Sequence, residues 1–123
     1  MKIYVSHLRN SDFINELYEP LKEAKLPVEF IFPHDNGSES FNSKELFEKH
    51  ECDYVLAEVS APSTGQGIEL GWADVFGVPI LCFYKTGSSP AKSLSKITDK
   101  IIEYGDSMDL VNKLAAELSL HTA

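Results

Sequence analysis

A single carboxylate poses the first chemical question. Glu69 sits in "APSTGQGIELGWA", residues 61–73, where proline, serine, threonine and two glycines run into a helix-like segment. Pro62, Gly65 and Gly67 permit a tight turn and a close approach of backbone to a ligand. A helix start also offers unpaired N–H groups and a dipole end that favours negative charge. A carboxylate beside a cleft suits nucleophilic attack on a sugar carbon, and it suits binding of ribose hydroxyls equally well. Acids also occur in first helical turns merely because they complement the dipole, so residue type leaves these readings open. Gly67 and Gly71, four apart, read as close packing of this helix on a sheet.

Other polar groups have paired readings of the same kind. Arg9 in "SHLRN" (6–10) has the fork that suits phosphate oxygens, or is a solvated surface residue. His7 reads as a loop histidine or a proton donor, and His34 follows a strand end near the same rim. Glu58 lies inside a strand and reads as facing a polar edge or a partner, whereas Trp72 reads as packing. Cys52 and Cys82 fall in or beside apolar runs, as reduced core residues do. With His34 and His50 they lack metal-ligand spacing, so no metal site is expected.

These residues need a scaffold, and the pattern supplies one. Strands are expected over 2–6, 27–32, 52–60, 78–84 and 100–104. Helices are expected over 11–25, 43–50, 66–76 and 107–120. Pro20 should kink or break the first helix, with Ser11 or Asp12 as its cap. Ser43 lies near the cap of the second, Gly77 ends the third, and Asp106 or Ser107 caps the last. "HDNGSESFN" and "KTGSSPAKS" read as loops. Strands alternating with helices imply an α/β fold, a parallel sheet wrapped on both faces, here flavodoxin-like with order 2-1-3-4-5. Ligands of such sheets bind beyond the carboxyl ends of the strands, at the switch point between strands 1 and 3. The loops there are 6–10, starting at Ser6, and 60–67, which holds Ser60 and Ser63.

Composition bounds the partners. The 123 residues make one domain, 43% hydrophobic and without any apolar run long enough to span a bilayer. The opening "MKIYVSHLRN" lacks the form of a secretory signal, so a cytoplasmic protein is expected. A formal charge of −8, with scattered lysines and arginines, argues against nucleic acid as partner. A small anionic ligand stays compatible with it.

The stretch "CDYVLAEVSAPSTGQGIELGWADVFGVPILCFY" resembles the nucleoside 2-deoxyribosyltransferase superfamily, especially its small 2'-deoxynucleoside 5'-phosphate N-hydrolases. The shared pattern is an "AEV", a Pro-Ser, a Gly-x-Gly, then Glu-Leu-Gly and a small residue. This resemblance implies cleavage of an N-glycosidic bond between base and deoxyribose, without a cofactor, with Glu69 matching the nucleophile. Attack at the anomeric carbon would form a glycosyl ester, released by water or, in transferases, by a second base, with retention. The second acid of the family is an Asp; the matching position here is Glu45, in "SKELF". The glycine-rich first turn of relatives is replaced by "YVSHLRNS", which keeps Tyr4 and Arg9. In the hydrolases a serine from the neighbouring subunit contacts the 5'-phosphate, and Ser93 and Ser95 in "KSLSK" stand at the matching place, implying a homodimer with shared sites. "IYVSHLRNSD" also looks like the opening box of TIR domains, whose NAD-cleaving members cut the same kind of bond. A non-catalytic nucleotide-binding or interaction module is the alternative from a different class.

Overall fold

The computed structural model describes residues 1–35 and 41–120. Five strands, β1 (Lys2–Ser6), β2 (Glu29–Ile31), β3 (Tyr54–Glu58), β4 (Ile80–Lys85) and β5 (Ile101–Tyr104), form one sheet in the order β2-β1-β3-β4-β5. Every pairing is parallel, as a chain alternating strand with helix requires. The strand order is the one the alternation implied.

Among the described residues four helices cover the two faces. The first, α1, enters as a π-helical turn at Ile14–Tyr18 and continues as α-helix over Glu19–Glu23. Then come α2 (Ser43–Glu48), α3 (Thr64–Val75) and α4 (Ser107–Glu117), with a 3-10 turn at Lys92–Lys96 between β4 and β5. On one face Leu17, Tyr18 and Leu21 of α1 and Leu110, Val111 and Leu114 of α4 pack on Ile3, Val5, Leu56, Leu81 and Phe83. On the other, Phe47 of α2 and Leu70 and Ala73 of α3 pack on Tyr4, Val55, Ala57, Ile80 and Cys82. Each fully buried Leu, Ile, Val or Phe among them stabilises the fold by roughly 1.5–3 kcal/mol.

Several expected boundaries shift for local reasons. Pro20 interrupts the winding and not the chain path: the π-helical turn over Ile14–Tyr18, closed by the Glu19 N–H on the Ile14 carbonyl, gives way to α-helix where Pro20 has no N–H to continue it. Neither Ser11 nor Asp12 caps that helix. Ser11 Oγ donates to the Leu8 carbonyl (2.6 Å) and the Asp12 carboxylate accepts from Asn15 Nδ2 (3.1 Å). Asn42, not Ser43, caps α2, accepting the Glu45 N–H at 3.0 Å. Asp106 caps α4 through the Asp109 N–H at 2.8 Å. Gly77, at φ 76°, follows α3 in the left-handed conformation that glycine adopts at no steric cost. Of the loop expected across 34–42, residues 36–40 lie outside the described residues.

α3 starts at Thr64, so Gly65 and Gly67 are helical residues and do not form a turn. Gly67 and Gly71 do not seat the helix on the sheet either, because a Cβ at either position would meet open space.

Candidate active site

Side chains alternate along β1, and this single fact divides the polar groups at the carboxyl edge of the sheet. Tyr4 and Ser6 face the α2–α3 layer, while Ile3, Val5 and then His7 face the α1–α4 layer.

On the α3 side stands Glu69. It is the sixth residue of its helix, in the second turn, beyond the reach of the terminal dipole that position in a first turn would have given. Two hydroxyls hold it instead: Tyr4 Oη donates to Oε2 at 2.8 Å and Ser6 Oγ donates to Oε1 at 2.7 Å. Both oxygens thus accept protons from neighbours, the arrangement that suits a carboxylate. Burial, and then the adjacent Glu69 charge, push the Tyr4 hydroxyl far above the usual phenol range, so it stays a donor. Glu69 is half-buried and takes part in none of the ion pairs among the described residues. Ser63 caps α3 by accepting the Gln66 N–H, Pro62 and Gly65 are exposed beside it, and Gly67 leaves the helix surface bare.

Glu45 is not brought into this network. Its side chain is 48% exposed on α2 and bonded to Lys49 Nζ and Asn42 Nδ2. The Lys49 ammonium holds its carboxyl below the usual carboxylate range, the opposite of what a proton donor at neutral pH needs. Ser93 and Ser95 lie exposed on the 3-10 turn, and Arg9 lies exposed in the loop after β1.

On the α1–α4 side of β1 a cavity of about 140 Å³ opens among His7, Phe13, Glu58, Ser60, Lys85 and Tyr104; Glu69 does not line it. Glu58 faces the polar carboxyl edge of the sheet. Its carboxylate accepts the Ser60 N–H (2.7 Å), Ser60 Oγ (2.9 Å) and the Tyr104 hydroxyl. Ser60 Oγ accepts in turn from the Lys85 N–H at 2.9 Å, which ties the ends of β3, β4 and β5 together. His7 is 8% exposed and stacks on Phe13 at 4.1 Å. Tyr18 Oη lies 2.7 Å from its Nε2 and accepts the His34 N–H, while Nδ1 lies 3.1 Å from the Leu8 carbonyl. A carbonyl only accepts, so the proton sits on Nδ1 and Nε2 accepts from Tyr18. Burial above all, opposed in part by the Leu8 carbonyl, lowers its pKa to about 4, leaving a neutral imidazole at neutral pH.

Cys52 and Cys82 are free and buried, and burial pushes their thiols up to about 11 and 12. Among the described residues no group of three His, Cys, Asp or Glu could hold a metal ion, and no helix is long and apolar enough to cross a membrane. Trp72 packs partly buried against the α2–α3 core under the Lys44 ammonium. Gln66 and Tyr104 are not signalled by the sequence, because a buried amide and a strand-end hydroxyl carry no spacing signal of their own.

A five-stranded parallel α/β fold carries a hydroxyl-clamped glutamate at the carboxyl edge of its sheet. The chain is a distant homologue of nucleotide N-hydrolases. It is 40% identical over 52 residues to 5-hydroxymethyl-dUMP N-hydrolase of Mus musculus, a match covering 42% of this chain and 30% of that one. It is 33% identical over 57 residues to a candidate 2'-deoxynucleoside 5'-phosphate N-hydrolase of Syntrophotalea carbinolica, covering 46% and 40%. The matched segments therefore span well under half of these curated relatives. Over nearly the whole chain the fold is that of the Clostridium botulinum CMP N-glycosidase BcmB, with TM-score 0.62, 21% identity and coverage of 93% and 98%. No protein-family model matches the chain.

Proposed function

We propose that this chain is an N-glycosidase that cleaves the base–sugar bond of a nucleotide or nucleoside, with Glu69 as nucleophile. The observation that supports it is the clamp of Tyr4 and Ser6 on a half-buried carboxylate at the carboxyl edge of the sheet. One carboxylate oxygen attacks C1 of the sugar, the C1–N bond breaks, and the electron pair leaves with the base, which takes up a proton. A glycosyl ester of Glu69 remains. Water then adds to C1, its proton is lost to solvent or a nearby base, and the carboxylate is regenerated with retained configuration. The pre-set hydroxyl donors fix the carboxylate before the substrate arrives, so no reorientation is needed at the reacting step. Ser63, beside the helix start, and Arg9 would hold a 5'-phosphate, joined by Ser93 or Ser95 of a second copy in a homodimer.

The test is release of free base from a panel of nucleotides, nucleosides and NAD, read by chromatography. The reading predicts base from at least one substrate of the wild type and loss of at least about a thousandfold in Glu69→Gln. No base from any member of the panel overturns it, and release from NAD alone points to the TIR-like chemistry.

The placement of Glu45 favours a second reading, a nucleotide-binding module without turnover. Its exposed carboxyl, held by Lys49 and Asn42, is not poised to protonate a leaving base. Calorimetric binding of a nucleotide with no product after long incubation would select this reading.

A further inference from the structure

Gln66 follows the cap residue Ser63 by three positions, and Ser-x-x-Gln there is the pattern of a capping box. In that motif the Gln side chain folds back onto the backbone N–H of the cap. Here it does not. The Gln66 side chain turns inward, 7% exposed, with Nε2 2.9 Å from the Glu58 carbonyl and 3.4 Å from Ser6 Oγ. A carbonyl oxygen only accepts, so the amide nitrogen must face it, and its second N–H is left for the Ser6 oxygen. Ser6 has one hydroxyl proton. With Gln66 donating into a lone pair, that proton is directed at Glu69 Oε1, 2.7 Å away.

We propose that Gln66 is a positioning residue for Glu69, acting through Ser6. It gives up a local helix-capping bond to fix the direction of the Ser6 hydroxyl, and so fixes how the carboxylate presents its oxygens. The role as stated for catalysis rests on Glu69 being the nucleophile. A residue that breaks a local rule beside a candidate site is where functional demand is expected to override local preference.

Gln66→Met keeps length and volume and removes both donors. Two measurements decide the matter in the full chain. The first is the Ser6 side-chain rotamer, from Hα–Hβ couplings by NMR: one χ1 state in the wild type, averaging in Q66M. The second is a cycle of Q66M, Ser6→Ala and the double variant, assayed on a nucleotide that the wild type cleaves. Q66M should lower kcat about tenfold with KM within about twofold, and should have no further effect in the S6A background. Gln66→Asn, one methylene shorter, gives the same pattern should Q66M not fold. A Ser6 rotamer unchanged in the variants, or an equal loss of kcat with and without Ser6, overturns the proposal. If the wild type cleaves nothing, the glycosidase reading fails, and the rotamer measurement alone decides whether Gln66 orients Ser6.

Discussion

Acidification should weaken the fold through His7 by an amount that its surroundings set. Folded, the buried imidazole has a pKa near 4, against about 6.5 in an unfolded chain. The folded value is the lower, so at acidic pH the unfolded chain binds more protons. The contribution to stability is then intact above about pH 6.5 and is lost as pH falls through about 4. Integrating between those values gives a loss of roughly 2 kcal/mol by about pH 5 and about 3 kcal/mol by about pH 4. Protonation of Nε2 also removes the acceptor of the Tyr18 hydroxyl, which is itself buried. The assay is urea denaturation at constant ionic strength from neutral pH downward, for wild type and His7→Gln. The Gln oxygen can still accept from Tyr18 but does not titrate. Carboxylates contribute to both profiles and cancel in the difference, so H7Q should be less stable at neutral pH yet show the shallower decline. Parallel profiles would refute the assignment of a buried, neutral imidazole.

Gly71 lies in the interior of α3 with open space where a Cβ would go, so Gly71→Ala should stabilise the fold by about 0.5–1 kcal/mol, visible as a raised melting temperature. The two cysteines should resist a thiol reagent in the native protein at mildly alkaline pH and react promptly in denaturant, since burial disfavours both thiolates. Fast native labelling would show that Cys52 or Cys82 is accessible.

The architecture was legible because each strand is an apolar run and each helix an amphipathic one, and a parallel order then follows from connection rules. Helix ends were less so. The start of α3 at Thr64 turns on the Ser63 hydroxyl meeting the Gln66 N–H, which spacing alone does not separate from a glycine turn. Pro20 signals an interruption, and only the structure shows it to be a change from π-helical to α-helical winding. At the candidate site, Glu69 stands out through its composition and motif, and Tyr4 through the resemblance; Arg9, also named by it, lies exposed in the loop after β1. That Tyr4 and Ser6 grip the same carboxylate needs the register of β1 against α3, which no local pattern encodes. Glu58 shows the converse: an acid in a strand suggests a polar edge or a partner, and only the fold shows that Tyr104, 46 residues away, bonds to it.

The outermost strands are the shortest in the sheet: β2 has three residues, lies between Pro27 and Pro33, and β5 has four. Rims so brief offer little template for another chain to zip onto, and proline is a natural guard there. Strand addition is thereby disfavoured at both rims, while the glycine-bared side of α3 leaves Ile68 and Val75 exposed.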